Sequence, residues 1–235
     1  MKALTVSVTL IAAFSLSARG DFTIVQKVEG KELQGKRQAN EITLKLKGDK
    51  IRMDATPQMT MIVDGRTGDT ITLLNNQKKI VRISGDKAKA IAEMAAKYGG
   101  TSAEKPKLAA TGKKMTINGY EADEYVADGK KFKARYWIAP SFPNSAAIMK
   151  QLQTNIPAAW NDLAKGMTDY RDLPGLPLRT EVTVGDENII STVVSVKADP
   201  LPDSEFLPPK DFQEVKIPNV DMSADKPTPA PPPKP

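Results

Sequence analysis

Apolar and polar residues alternate through five short runs between Glu41 and Ser84. The runs are separated by turn residues, among them Gly48-Asp49 and Asn75-Asn76. Period-two patterning of this kind is typical of β-strands that have one face covered and the other exposed to water. The stretch therefore predicts an antiparallel meander with one apolar face.

Similar patterning extends the predicted sheet on both sides of this meander. Residues 21–29 predict a first strand, and the polar residues 30–39 predict a loop. Two further hairpins are predicted, one across Asp128-Gly129, which is a favoured two-residue turn sequence, and one across Gly185-Asp186. Residues 203–215 contain prolines and predict an extended segment. About ten strands are expected in all.

Two segments have helical spacing instead. Apolar residues recur at helical intervals in residues 86–98, and residues 101–114 then predict a connector between two halves of the chain. A second helix can be capped by Asn144 or Ser145, and Pro157 restarts it as a kinked arm. The sequence thus predicts a mainly β protein with helical insertions, an α+β fold.

The N-terminal residues have the pattern of a signal peptide. Lys2 precedes the apolar run Ala3–Phe14, and Ala18 and Gly20 satisfy the small-x-small requirement for cleavage before Asp21. A membrane anchor is the alternative, but a charged residue at position 19 follows too soon for a span of about 20 residues. We therefore expect an exported protein, periplasmic or secreted, with residues 1–20 removed and a globular domain over residues 21–217.

Composition excludes several function classes. The chain has no cysteine and no histidine, which excludes acylation at a lipoprotein cysteine, disulfides and nearly all zinc and copper chemistry. The net charge of +6 falls by two when the leader carrying Lys2 and Arg19 is removed, and this is not a nucleic-acid signature. We expect no cofactor, no metal, no nucleic-acid partner and no later membrane span.

The best catalytic candidates are the acids beside the Asp128-Gly129 hairpin. Glu121 and Asp123 share a strand face, with Glu124 and Tyr125 beside them. Because no nucleophile, metal motif or phosphate loop accompanies them, we interpret these residues as a solvated strand face. The sequence therefore predicts a protein that is not an enzyme.

Two charged or proline-rich features admit a functional and an inert interpretation. Residues 218–235 include seven prolines and predict a disordered tail, either inert or a ligand for a cell-envelope protein. Basic residues alternate on the meander and predict either a site for anionic lipid headgroups or, as we prefer, a merely soluble outer face. These basic residues are Lys45, Lys47, Arg52, Lys79 and Arg82.

Several local phrases carry a resemblance to a known family. They are residues 48–53 (GDKIRM), 60–64 (TMIVD), 72–74 (TLL), 117–122 (INGYEA) and 136–140 (YWIAP). The chain resembles an uncharacterised exported bacterial family, a domain of unknown function, which is grouped with the LolA/LolB-like lipoprotein-localisation fold. The resemblance implies an open, curved antiparallel half-barrel whose concave apolar face is covered by helices and, in the lipoprotein carriers, accepts acyl chains. It implies no catalytic residue.

The covered face of the sheet is the candidate site for a lipid, an acyl chain or a lipoprotein. Methionines are frequent there, and their flexible thioether chains suit irregular ligands. The candidate lining is Ile42, Leu44, Leu46, Ile51, Met53, Met59, Met61, Val63, Ile71, Leu73, Ile91, Met94, Met149, Leu152 and Trp160. Patterning alone leaves an alternative open, in which these residues form a filled core and the protein is a non-enzymatic envelope interaction module that acts through its surface and its tail.

Overall fold

The structure is a computed structural model that describes residues 20–33, 36–98, 106–129, 132–157 and 168–215. The described residues form twelve β-strands, which belong to one sheet. The strands are β1 (Phe22–Leu33), β2 (Lys36–Lys47), β3 (Lys50–Thr56), β4 (Met59–Asp64), β5 (Thr70–Leu74), β6 (Lys79–Ile83), β7 (Leu108–Ile117), β8 (Tyr120–Asp128), β9 (Phe132–Ile138), β10 (Pro177–Val184), β11 (Glu187–Lys197) and β12 (Gln213–Val215).

The sheet is open and almost wholly antiparallel. Its strand order is β12-β6-β5-β4-β3-β2-β1-β11-β10-β9-β8-β7, and β12 alone runs parallel to its neighbour, β6. One buried cluster includes Val63 from β4 as well as Ala127 from β8, although six strands lie between these two in the sheet. A flat sheet would hold these residues far apart, so the sheet curves around its core. The expected mainly β fold, with an open, curved antiparallel sheet and helical insertions, is confirmed.

Two helices accompany the sheet in the described residues, α1 (Gly85–Tyr98) and α2 (Ser145–Asn155). Helix α1 follows β6 directly, and its buried Ala88 and Ala92 pack beside Ile83. Helix α2 buries Ile148 and Leu152 in the main core cluster. Small residues thus hold α1 close to one edge of the sheet, while large residues of α2 fill the space inside its curve.

The last described segment crosses the face of the sheet opposite α2, called the outer face from here on. Residues 201–215, called the strap from here on, contain a 3₁₀ turn at Asp203–Phe206 and end in β12. Phe206 is 3% exposed and packs with Ile62, Leu73 and Ile80. The strap therefore gives the outer face of the sheet a second, smaller core.

The structure corrects three expectations about the elements. Residues 30–39 belong to the hairpin of β1 and β2 and do not form a long loop. The predicted connector 101–114 contains the start of β7, and the predicted extended segment 203–215 contains a 3₁₀ turn. Strand β7 is an edge strand whose side chains are mostly exposed, so it lacks the apolar alternation by which a half-buried strand is recognised.

The predicted hairpin after Asp128 is confirmed, but its turn is wider than two residues. Strands β8 and β9 pair as far as Asp128 and Lys133, and the main-chain N–H of Gly129 donates to the carbonyl of Phe132 at 2.9 Å. The turn with two consecutive positive φ angles joins β7 to β8 instead, with φ of 51° at Asn118 and 83° at Gly119. An Asn-Gly sequence is the preferred one for that conformation.

Some expectations fall outside the described residues. These are the leader up to Arg19, the continuation of the second helix with Trp160, and the proline-rich tail 218–235. Within the described part of the chain, neither helix has the length and hydropathy that crossing a bilayer requires.

Candidate functional site

One face of the sheet, called the inner face from here on, carries the main core. Cross-strand pairing aligns Phe22 with Leu46, Leu46 with Ile51, and Ile51 with Val63. Directly opposed residues in an antiparallel sheet point to the same side. These four side chains therefore form one continuous apolar row from β1 to β4, and all four are buried.

Helix α2 closes this end of the inner face. Ile148, Met149 and Leu152 lie at helical spacing, are buried, and belong to the same cluster as Leu46 and Ile51. Of the predicted lining residues, Leu46, Ile51, Val63, Met149 and Leu152 are thus brought together as a filled core.

The other end of the inner face is only partly covered. Leu44 lies opposite Met53 and Met53 opposite Met61, so a second apolar row crosses three strands beside the first. Met59 lies opposite Leu74 in the next position along the same face. All the apolar members of this region are half-buried. We call it the open strip, and it consists of Ile42, Leu44, Met53, Met59, Met61 and Leu74.

Two predicted residues, Ile71 and Leu73, lie on the opposite face. They pack around Phe206 of the strap, so placing them in the same lining as Met61 was wrong. Strand β5 is apolar at both Leu73 and Leu74, and only the pairing of Leu74 with Met59 decides which one faces inward. Leu74 is therefore a member of the open strip that sequence reasoning missed.

Helix α1 supplies two further predicted residues, Ile91 and Met94. Both are half-buried. The fully buried contact of this helix is made by Ala88 and Ala92 beside Ile83, at the edge of the sheet nearest β6. The structure thus places the two larger residues partly in contact with water.

A row of polar side chains crosses the inner face from β11 to β9. Ser191 lies opposite Thr180, and Thr180 opposite Tyr136, in one cross-strand row. The Ser191 hydroxyl donates to Oε1 of Gln26 at 3.1 Å. Burial raises the pKa of the Tyr136 phenol. Of these residues, Gln26 lies opposite Ile42 of the open strip, whereas Tyr136 belongs to the main buried cluster.

A pocket lies on the outer face, beneath the strap. It has a volume of about 460 Å³, and its apolar lining residues include Ile62, Ile71, Phe206, Leu207 and Pro208. Its other lining side chains include both signs of charge, with Lys50 and Arg82 among them, as well as two aspartates. The lining surface is thus mostly apolar, with side chains of both charge signs beside it.

The acids beside the β8–β9 hairpin are engaged in the structure. Nζ of Lys114 lies 2.6 Å from Oε1 of Glu121 and 3.7 Å from a carboxylate oxygen of Asp123. Glu124 is buried and accepts a hydrogen bond from the Thr111 hydroxyl at 2.6 Å. Across the described ranges, no three carboxylates are grouped so that they could hold a metal ion.

Comparison with solved structures gives distant likenesses. PNGF-II matches with a TM-score of 0.40 and 16% identity over 80% of this chain, which spans only 30% of PNGF-II. The LolA superfamily protein NE2245 from Nitrosomonas europaea matches with a TM-score of 0.34 and 13% identity, over 81% of this chain and 91% of that one. Lipoprotein LppX from Mycobacterium tuberculosis matches with a TM-score of 0.35 and 10% identity, over 77% and 88%. All three TM-scores are below 0.5, so they transfer neither a ligand nor a role to this chain.

Comparison with protein families gives a clear assignment. No curated protein matches the sequence significantly. One family model, Domain of unknown function (DUF4412), matches residues 31–212, which is well over half of the chain and nearly all of the sheet. The expectation of an uncharacterised family is confirmed, and this chain belongs to the DUF4412 family.

Proposed function

We propose that this protein binds a hydrophobic ligand, a lipid, an acyl chain or the acylated part of a lipoprotein, on the open strip of its inner face. The observation that carries the proposal is the contrast between two neighbouring apolar rows of the inner face. Leu46, Ile51 and Val63 are buried under α2, whereas Met53 and Met61, their neighbours along the same strands, are half-buried. An apolar surface left partly open beside a filled core is typical of a binding site.

The chemistry of the open strip suits an acyl chain. Three of its six members are methionines, whose unbranched side chains adapt to irregular apolar partners. Burial of a methylene group is worth about 0.8 kcal/mol, so a 16-carbon chain offers on the order of 12 kcal/mol. Association costs an estimated 4–15 kcal/mol. The balance favours reversible binding, as a carrier requires.

The proposed role is non-enzymatic and is placed in the cell envelope. The acids Glu121 and Glu124 are occupied by Lys114 and Thr111, which leaves no acid pair open to a substrate at that hairpin. Export rests on the leader pattern of residues 1–20. A ligand carried through the aqueous envelope would need an apolar surface to contact, and the half-buried open strip offers one.

Native mass spectrometry of the exported protein tests the proposal directly. The protein is purified from a periplasmic extract without detergent and then incubated with phosphatidylglycerol that carries 16-carbon chains. We expect a discrete adduct of lipid mass, either already present or formed on incubation. The head-group compound glycerol phosphate serves as the matched control and should give no adduct.

A different outcome would favour the second class of function. If the mass stays that of the bare protein with phospholipid and with an acylated lipopeptide, the open strip is not a lipid site. The buried cluster under α2 would then support the alternative, in which the inner face is a filled core. An envelope interaction module that acts through its surface and residues 218–235 would replace the carrier.

A further inference from the structure

A small pocket lies where the first described residues meet the last turns of α2. Its volume is about 100 Å³. Its lining residues are Gly20, Gly48, Ala147, Lys150, Gln151, Thr154 and Asn155. The pocket is far too small for a lipid chain, but it has room for a small polar group.

Gln151 is the informative residue of this pocket. Its side chain is 7% exposed, and its Nε2 donates to the main-chain carbonyl of Gly20 at 2.6 Å. Its Oε1 is buried and has no hydrogen-bond partner among the described residues. A buried acceptor without a donor costs roughly 1–3 kcal/mol, so the pocket lacks a donor.

The residues that follow Gly20 are held firmly in place. The Asp21 carboxylate accepts a hydrogen bond from the main-chain N–H of Leu201 at 2.8 Å. Phe22 is buried in the main core and pairs with Leu46. The main-chain nitrogen of Asp21 therefore stays beside the pocket whether or not the chain continues before it.

We infer that the leader is cleaved between Gly20 and Asp21 and that this pocket then binds the new N-terminal ammonium group. Hydrolysis by a signal peptidase consumes one water molecule. Gly20 leaves with the leader as a carboxylate, and Asp21 keeps its nitrogen as an ammonium. Cleavage removes the Gly20 carbonyl, which accepts the hydrogen bond from Nε2 of Gln151. The ammonium takes the vacated space and donates to Oε1, so the amide exchanges a neutral hydrogen bond for a charge-assisted one.

The position of the pocket on α2 also favours a cation. Gln151, Thr154 and Asn155 belong to the last turns of this helix, which ends at Asn155. The C-terminal end of a helix carries partial negative charge and stabilises a nearby positive group. Lys150 in the wall is exposed, so water screens its charge from the ammonium.

Processing would thus complete the fold as well as release the protein. The cleaved terminus joins β1 to α2 through Gln151, while the Asp21 carboxylate joins β1 to the strap. This role is separate from ligand binding, because the pocket lies at the covered end of the inner face and not at the open strip.

The first test is the intact mass of the protein exported from the full-length gene. We expect a chain that begins at Asp21. A chain that keeps its leader, or that begins at any other residue, would overturn the inference. A lipid-binding result of either kind leaves this outcome unchanged, so the two proposals fail separately.

The second test measures coupling between the terminus and residue 151 in the exported protein. The free amine is compared with an α-amine-selectively acetylated chain, in which the acetyl carbonyl replaces that of Gly20. In each form, Gln151→Glu is compared with Gln151 by urea unfolding. Because a hydrogen bond to a charged group is the interaction tested, we expect the unfolding equilibrium constants to show a coupling of about tenfold that favours the free amine.

A neutral variant of similar shape provides the control. In Gln151→Met, the difference between the free and the acetylated chains should shrink to the contribution of the helix end alone, because neither amide atom remains. If Gln151→Glu changes both forms by the same factor, the ammonium does not contact residue 151 and the inference is wrong. If Gln151→Met preserves the difference between the two forms, the ammonium binds elsewhere and the inference is also wrong.

Discussion

The ammonium group of Lys45 in β2 lies 2.8 Å from a carboxylate oxygen of Glu205 in the strap, 160 residues further along the chain. Nearby, Lys47 lies 3.0 Å from Asp203, and Nη1 of Arg52 donates to the main-chain carbonyl of Glu205 at 2.8 Å. The strap therefore supplies the counter-charges of the outer face of β2 and β3. These positions present paired charges and not a free basic surface.

The Lys45–Glu205 pair should contribute measurably to stability. Both side chains are partly buried, so we expect a coupling free energy of about 0.5–1 kcal/mol in a double-mutant cycle of Lys45→Met and Glu205→Gln. Urea unfolding of the four proteins measures it. The exposed pair Lys78–Asp211 is the control and should show a smaller coupling. Equal couplings at both pairs would contradict the argument.

The aromatic anchor of the strap should matter more than its charges. Phe206 is 3% exposed among Ile62, Leu73 and Ile80, and removal of a buried aromatic ring costs about 3–5 kcal/mol. We therefore expect Phe206→Ala to lower the free energy of unfolding by about 3 kcal/mol. The adjacent Leu207 is 55% exposed, so Leu207→Ala should have little effect. Similar losses from both variants would show that the strap is not anchored by Phe206.

Acid should destabilise the protein in part through Asp54. Partial burial raises the pKa of Asp54, but hydrogen bonds from Arg52 and Thr60 outweigh it, and the pKa is lowered overall. Asp54 thus contributes stability that is present above the unfolded pKa near 4 and is lost as the pH falls through the lower folded pKa. Asp54→Asn should flatten the dependence of the unfolding free energy on pH between about 5 and 3.

A matched variant tests the cause of this pH dependence. The Thr60 hydroxyl donates to Oδ1 of Asp54 at 2.8 Å, so Thr60→Val removes one of the bonds that favour the carboxylate. We expect a pH dependence between those of the native protein and of Asp54→Asn, measured by urea unfolding at each pH. An unchanged slope in both variants would assign the acid sensitivity to other groups.

A charge introduced into the open strip should abolish ligand binding without unfolding the protein. Met61 is half-buried, so the long side chain of Met61→Lys can extend its ammonium into water while the fold persists. We expect the lipid adduct to disappear and the circular dichroism spectrum to remain native. Leu46→Lys places a charge at a fully buried position and should unfold the protein.

The opposite face provides the matched control for Met61→Lys. Ile71 is also half-buried and lies on a neighbouring strand, but it faces the strap. Ile71→Lys should therefore keep the lipid adduct. Loss of the adduct in both variants would point to general destabilisation, and its retention in both would place the ligand away from the open strip.

The sequence predicts most of the sheet because burial on one face leaves a period of two in each strand. Where two consecutive residues of a strand are both apolar, as Leu73 and Leu74 are, the pattern does not show which of them faces inward. The pairing of Leu74 with Met59 shows that Leu74 does. Edge strands such as β7 bury few side chains, so they leave little pattern. Most of the open strip was therefore predictable, whereas its Leu74 member was not.

Contacts across long stretches of sequence were the least predictable part. Nothing in the residues around Phe206 indicates that they cover Ile62 and Leu73, because the partners are more than 100 residues apart and the segment itself is irregular. The same holds for Gln151 and Gly20, whose hydrogen bond joins a helix to the start of the first strand. Such contacts depend on the curvature of the whole sheet, which no local pattern encodes.

The turn between β7 and β8 gives a last prediction, in which only backbone conformation is at stake. Gly119 has a φ of 83°, a conformation that favours glycine, and no atom would meet a Cβ added there within 4 Å. Gly119→Ala should therefore lower the free energy of unfolding by about 1–2 kcal/mol without any steric clash. Gly30 has equally open space but no positive φ, so Gly30→Ala should be neutral or slightly stabilising. If urea unfolding shows equal losses of stability for Gly119→Ala and Gly30→Ala, the positive φ at Gly119 is not the reason that glycine is needed in this turn.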